Sequence, residues 1–401
     1  MKLSEELIYR GMMAQHTLGD VANLDKKKHK FYFGADPSDS SMTIGNLAAL
    51  MMCKVFIRHG YEPTLLVGGG TGRIGDPKMD KARPVKSLAE IEQNVQGIKS
   101  QFTRIMGADI RVVNNNDWLD KLGFYEFQNE VGQYFSMTQL MDRDFVKART
   151  GEGGTGLSAA EFSYSLLQGY DFWYLYKKFG IDLQLCGVDQ IGNVMSGIHL
   201  ISKKEGKQAH VWSCPLILDT SGKKFGKSEG NAIWLDAGRT SVFDFYQFWL
   251  NVDDAGVENY LKIYTEITPA EIDEIVKLHD KNPAARGAQK ALALGVAEVV
   301  HGREAAVNAA HITNVLFNSG DIRELSREGL KLLSETIPAV KVGATVVEAL
   351  VSAKLANSNG EALRLIRGGG VSVNGAKIGE DYKISELSLV KKGKNSFVLV
   401  K

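Results

Sequence analysis

The chain has 401 residues, enough for two or three domains with ample cores. Its 44% apolar and 24% charged residues are ordinary for a globular protein, and a net charge of +1 argues against a surface that binds polyanions throughout. No run of about 18 apolar residues occurs, so no membrane-spanning helix is expected.

Nothing at the N-terminus, Met1-Lys2-Leu3-Ser4-Glu5-Glu6, resembles the apolar core of a signal peptide. Cys53, Cys186 and Cys214 lie far apart without metal-like spacing and fit reduced thiols in a cytosolic protein.

In chain order, Phe31-Tyr32-Phe33-Gly34 reads as a strand. Ala35-Asp36-Pro37-Ser38 follows it, and Ile44-Gly45-Asn46 then opens an apolar helical stretch from Leu47 to Phe56. Gly45 and Asn46 thus stand at a helix N-terminus, where unpaired N–H groups and the helix dipole attract phosphate. The runs Thr64 to Val67, Ile110 to Val113 and Leu183 to Leu185 are further strands. Between them, Ser87-Leu88-Ala89-Glu90 is a capping box opening a helix whose apolar face carries Ile91, Val95, Ile98, Phe102 and Ile105, and which stops at Gly107. Strands alternating with helices predict an α/β fold with a Rossmann-like, doubly wound parallel sheet, whose ligands bind at the carboxyl ends of the strands.

Several polar groups converge on those ends. Gly68-Gly69-Gly70-Thr71-Gly72-Arg73-Ile74-Gly75-Asp76 and Gly187-Val188-Asp189-Gln190 each follow a strand. Tyr164, Gln168 and Asp171 occupy one face of a helix, and Tyr32 lies within the first strand. Downstream, Lys223-Lys224-Phe225-Gly226-Lys227-Ser228 is a lysine-rich loop whose glycine allows close approach to a phosphate. From about Ser241 to Asn318 the pattern turns helical, with Thr268-Pro269-Ala270-Glu271 as a second capping box. The segment from Ser334 to Gly343 reads as a linker. Beyond it lies a small α+β module with Arg364 and Arg367 on one helix face, then Gly368-Gly369-Gly370-Val371 and Val373-Asn374-Gly375. From 335 to 401 ten Lys/Arg face six Asp/Glu, a local excess that suggests an RNA-facing appendage.

These motifs resemble those of the bacterial tyrosyl-tRNA synthetases, class I aminoacyl-tRNA ligases, over nearly the whole chain. That family carries a Lys-Met-Ser-Lys-Ser signature, matched by Lys224-Phe225-Gly226-Lys227-Ser228, and a His-Ile-Gly-His signature, matched by Thr43-Ile44-Gly45-Asn46 with both histidines replaced. The resemblance implies a catalytic domain over 1–220 with an inserted dimer-interface region at about 110–160, and a signature loop over 221–240. A helical anticodon-binding domain over 241–325 and a ribosomal-protein-like RNA-binding domain over 335–401 complete it.

It also implies roles. Tyr32, Asp76, Tyr164, Gln168, Asp171 and Gln190 would bind tyrosine. Asp171 would accept from the phenol while Tyr32 donates to it or shares its network, so phenylalanine would leave both groups buried and unpaired. Gly34, Asp36, Gly45, Asn46, Gly187, Asp189 and Lys227 would bind ATP. Lys224 and Lys227 would meet charge developing on pyrophosphate, with Thr43 and Asn46 as catalytic replacements for the histidines. Arg364 and Arg367 would contact RNA. ATP enters as a substrate with its Mg²⁺, with no dedicated protein metal site, and the partners are L-tyrosine, tRNA(Tyr) and a second subunit of a cytoplasmic homodimer. A noncatalytic RNA-binding protein and the sister ligase for tryptophan remain alternatives. The changed first signature favours the former, and the Tyr32–Asp171 pairing opposes the latter.

Overall fold

In the computed structural model, residues 1–77, 86–223, 225, 227–228, 231–318 and 320–401 are described, with only the backbone given at 139, 144, 145, 227, 228 and 231. Two compact units emerge, one from 1–236 with 255–276 and the other from 237–254 with 277–401.

The first unit is built on a six-stranded sheet. Its strands are β1 (Gln15–His16), β2 (Lys30–Ala35), β3 (Glu62–Val67), β4 (Arg111–Asn114), β5 (Leu183–Gly187) and β6 (His210–Cys214), in the order β1-β6-β5-β2-β3-β4. From β6 to β4 all neighbours are parallel, and β1 alone pairs antiparallel. The expected doubly wound α/β architecture is therefore present. Succession runs outward from β2 to β3 and β4 on one side and from β5 to β6 on the other. The reversal between β2 and β5 opens a crevice at their carboxyl ends. Phe31, Leu65, Val67, Leu183 and Leu185 are fully buried, as a sheet covered on both faces requires.

The helix Leu88–Met106 lies where its pattern placed it. Ile91, Val95, Ile98, Phe102 and Ile105 are all buried, Gly107 ends it, and the Ser87 hydroxyl accepts from the Glu90 N–H at 3.2 Å. Only that half of the expected reciprocal cap forms, because the Glu90 carboxylate is taken by Lys86. The box at Thr268 closes in both directions. Its N–H and hydroxyl donate to Glu271 at 3.0 and 2.6 Å, and the Glu271 N–H returns to the hydroxyl at 3.4 Å.

In the second unit the helices Val242–Leu250, Gly287–His301, Arg303–Phe317 and Arg327–Thr336 precede a five-stranded sheet. The stretch read as a linker is instead structured. The helix Arg327–Thr336 runs into it, and Ala339–Val340 adds a parallel edge strand against Leu399 and Val400. Alternation along Ser388–Lys392 and Ser396–Val400 explains this, since successive side chains point to opposite faces. Val390, Val398 and Val400 pack against Val346, Leu350 and Ile366, whereas Leu389, Phe397 and Leu399 pack against Phe243, Ile312 and Leu316. Both faces of the hairpin are buried, so its edge is covered too. Asn374 and Gly375, at φ 46° and 79°, make the tight turn of a hairpin between Val371–Val373 and Ala376–Lys377.

Candidate active site

A cavity of about 570 Å³ opens at the carboxyl ends of β2, β3 and β5. Its walls bring together Tyr32, Gly34, Asp36, Thr43, Gly45, Asn46, Asp76, Tyr164, Gln168, Asp171, Gly187, Asp189 and Gln190 from segments spread over more than half of the first unit. Lys224 lies outside the described residues. Of Lys227 the backbone is described, in a two-residue strand paired with Asn231–Ala232. Arg364 and Arg367 stand on the helix Asn359–Arg367 of the second unit, where both are exposed. The Arg367 fork is occupied, donating to Glu380 at 2.5 and 2.8 Å.

One end of the cavity is a buried polar network. Asp171, 2% exposed, accepts from Asn115 Nδ2 at 2.9 Å on one carboxylate oxygen and from Trp118 Nε1 at 2.7 Å on the other. Burial dominates its titration and raises the pKa to about 7, against the lowering effect of those two donors. Gln168 Oε1 and the Tyr32 hydroxyl, which has the Gln184 side chain beside it, are buried without a well-formed hydrogen bond among the described residues. A buried unpaired hydroxyl costs about 1–3 kcal/mol, so a ligand that supplies its partner is favoured. The network continues outward. Asn115 also donates to Thr71 Oγ1 at 2.9 Å, Thr71 donates to Asp36 Oδ1 at 2.7 Å, and the Tyr164 hydroxyl donates to Asp36 Oδ2 at 2.8 Å. Nearby, Asp76 accepts from Gln190 at 2.9 Å and from Asn193 at 3.1 Å. Two carboxylates, Asp36 and Asp76, are thereby fixed in the cavity wall.

The other end is made mostly of backbone. Thr43 caps the helix Ile44–Arg58, and Asn46 turns its side-chain oxygen back onto the Thr43 N–H at 3.1 Å and hydroxyl at 3.3 Å. The two residues standing where the family has histidines thus make a capping box, which leaves the Asn46 amide nitrogen as the group with donors to spare. A Cβ at Gly187 would lie 2.6 Å from Asp189 Oδ1, so a side chain there would displace that carboxylate. Gly68 is equally constrained, its Cβ position lying 2.0 Å from Asp36 Oδ1.

The loop from β2 to this helix is held from behind by the helix Leu88–Met106. Asn94 donates to the Pro37 carbonyl at 3.1 Å. Gln101 accepts from the Met42 N–H and donates to Ser41 Oγ, both at 2.8 Å. Gly97 lets the two backbones meet, because a Cβ there would fall 2.0 Å from the Ser40 carbonyl oxygen. Sequence reasoning missed Asn94, Gln101, Asn115, Trp118 and Asn193. A signal existed for one of them, since Asn114-Asn115-Asn116 directly follows a strand at the end of the sheet where ligands bind.

Known proteins resemble this chain over its full length. A sequence profile of the class I tRNA synthetases for tryptophan and tyrosine matches residues 24–318. The chain is 39% identical to the tyrosine–tRNA ligase of Streptococcus thermophilus, with all of both chains covered. It is 38% identical to that of Anaeromyxobacter dehalogenans, covering all of this chain and 99% of the relative. Among solved structures, a C-terminally truncated mitochondrial tyrosyl-tRNA synthetase from Aspergillus nidulans superposes with a TM-score of 0.70 at 29% identity, covering 79% of this chain and 94% of that one. The chain therefore belongs to the class I tRNA synthetases of the tryptophan and tyrosine family.

Proposed function

We infer that this cavity activates L-tyrosine with ATP and that the protein then transfers the tyrosine to the 3′ end of tRNA(Tyr). The protein is a tyrosine–tRNA ligase, and relatives of that name match it from end to end, which favours catalysis over the RNA-binding alternative. The observation that carries the choice of amino acid is the unpaired Tyr32 hydroxyl beside a fully buried Asp171. A phenol suits both groups, donating to a remaining lone pair of Asp171 and accepting from the Tyr32 hydroxyl. An indole N–H can donate but accepts nothing, so it leaves Tyr32 unpaired.

Adenylation is attack of the tyrosine carboxylate on the α-phosphorus with pyrophosphate leaving. Such a reaction needs positioning and charge stabilisation rather than a nucleophilic side chain. In our reading Tyr164, Gln168, Asp76 and Gln190 grip the tyrosine ammonium and carboxylate, with Asp76 oriented by Gln190 and Asn193. Gly34, Asp36, Gly45, Gly187 and Asp189 hold the adenosine, Asp189 on the ribose hydroxyls. Asn46 donates from its amide nitrogen while Thr43 keeps it in place. Lys224 and Lys227 meet the pyrophosphate charge. Mg²⁺ arrives with ATP.

For the rest, we propose that the protein is a cytoplasmic homodimer joined through residues of about 110–160, where Phe124 and Tyr125 expose 72% and 83% of their surface. No helix among the described residues is long and apolar enough to cross a membrane. The helical stretch 241–325 is read as holding the anticodon stem, and Arg364 as a phosphate contact that Arg367 joins when RNA displaces Glu380. Pyrophosphate exchange with each of the twenty amino acids tests the central claim. Exchange with tyrosine alone is expected, and its absence in folded protein would sink it.

A further inference from the structure

Within the lysine-rich segment one side chain is both described and buried. Phe225, 8% exposed, follows Lys224 in the sequence and also lines the cavity. Its N–H donates to the Ile217 carbonyl at 3.0 Å, and closer to the bend the Asp219 N–H donates to the Lys223 carbonyl at 2.7 Å. The bend is tied by Asp219 Oδ1, which accepts from the N–H groups of Ser221 and Lys223, both at 2.9 Å, and from the Ser221 hydroxyl at 2.6 Å. Gly222 supplies the positive φ of 82° that the bend requires. Short local bonds thus set where residue 225 emerges.

What receives it is aromatic. The Phe225 ring stacks on Tyr260 with centroids 4.2 Å apart and planes at 22°, and it meets Tyr264 at 5.9 Å. The two tyrosines are four residues apart on the helix Asp254–Tyr264 and are buried, so they present one continuous ring surface.

That surface is rigidly mounted. Arg10, 1% exposed, donates to the carbonyls of Lys262, Thr265 and Ile267 at 2.8, 3.0 and 2.8 Å, closing the end of the helix. Arg10 is held in turn by Glu6 at 2.7 Å, and the same carboxylate takes His59 at 2.8 Å and Arg58. Arg58 and His59 end the helix whose first turn carries Thr43, Gly45 and Asn46. One frame therefore supports both the nucleotide-facing helix start and the seat for Phe225.

We propose that Phe225 is a positioning residue for adenylation. Its stack on Tyr260 and Tyr264 fixes the backbone from which the neighbouring lysines extend, and it adds nothing to tyrosine binding. This rests on the reading of Lys224 and Lys227 as donors to the leaving pyrophosphate. The isolated signature sequence contains no hint of the role, because the partner rings lie 35 and 39 positions downstream.

The test uses Phe225→Ala, Tyr260→Ala and Tyr260→Phe in the full-length protein, with three readouts. Adenylate formation at saturating tyrosine and ATP should fall about 30-fold in both alanine variants, as for a contact that matters in the transition state. Tyrosine affinity should stay within about twofold. Tyr260→Phe should keep the wild-type rate within about twofold, because a ring stack does not use the hydroxyl. Trypsin should cut after Lys223 at least about tenfold faster in the alanine variants, reporting loss of the seat independently of catalysis. An unchanged rate in Phe225→Ala overturns the proposal, and so does a parallel loss of tyrosine affinity. If Phe225→Ala does not fold, Phe225→Leu keeps most of the volume without the ring face and carries the same expectations. Wild-type protein without tyrosine-dependent exchange would instead refute the ligase reading. Unchanged trypsin cleavage would then still refute the seat.

Discussion

The two ends of the cavity solve different problems with different materials. At the end we read as the tyrosine site, the walls are buried side chains, most of them held by hydrogen bonds within the protein, with the Tyr32 hydroxyl and Gln168 Oε1 left over. Asp171 is held by Asn115 and Trp118, and Asp76 by Gln190 and Asn193. At the nucleotide end, glycines and a helix N-terminus present backbone, and the side chains present serve mainly to cap and brace it. The contrast follows from the ligands. Tyrosine must be told apart from phenylalanine by one hydroxyl, which requires a fixed acceptor and a dry site. A triphosphate needs many weak N–H contacts to oxygens that any backbone can offer. The ends are not independent, because Thr71 and Asn115 link Asp36 to Asp171 through one hydrogen-bond chain.

The contrast can be broken most forcefully at the lysines. Lys227→Ala should slow adenylate formation about 10²–10³-fold, the usual effect of removing a preorganised donor from developing charge. Tyrosine affinity, measured by equilibrium binding, should be nearly unchanged. A matching loss of tyrosine binding would show that the two ends do not divide the work in this way.

At the opposite end, Trp118→Phe removes one charge-assisted donor to Asp171 while leaving a ring in place. Such bonds are worth about 1.5–3 kcal/mol, so tyrosine should bind about 10–100-fold more weakly. The rate at saturating tyrosine should change far less, and an equal fall in both would contradict the assignment.

Titration sharpens the same point. Burial places the Asp171 pKa at about 7 in the free protein. The phenol O–H donates to the ionised carboxylate, so binding requires the proton to leave. Affinity is then full above about pH 8, declines as pH falls through 7, and is about tenfold weaker at pH 6. Calorimetry across that range should show proton release on binding, and Asp171→Asn should abolish the pH dependence. Affinity rising as pH falls would reverse the assigned protonation state.

The smallest effect is expected at the altered signature. Asn46→Ala removes a cap and one donor, and should slow adenylation by up to about tenfold. Asn46→Asp keeps the oxygen that accepts from Thr43 but points negative charge at the phosphates. It should preserve the thermal midpoint and slow adenylation more than alanine does. Restoring histidine at both positions should alter the rate only modestly, whereas a gain of orders of magnitude would mark Thr43 and Asn46 as relics.

Sequence by itself determined the alternation of strands and helices, the helix limits at Ser87 and Gly107, and the Thr268 box. Each of these is a local matter of periodicity, capping or φ preference that the neighbouring residues settle. The family resemblance added thirteen residues that line one cavity, at the strand ends where a parallel sheet of this topology binds its ligands. Only the tertiary structure decided what holds those residues. Asn115 and Trp118 reach Asp171 across more than fifty positions, Gln101 reaches Met42 across 59, and Tyr260 lies 35 positions beyond Phe225. The fold of 334–343 was decided the same way. Nothing in that stretch marks a strand, and Ala339–Val340 becomes one because a hairpin buried on both faces leaves an edge to be paired. Supporting contacts of this kind have no period and no fixed spacing. They arise where buried donors and acceptors must find partners, and which partners lie within about 3 Å is settled only when the chain has packed.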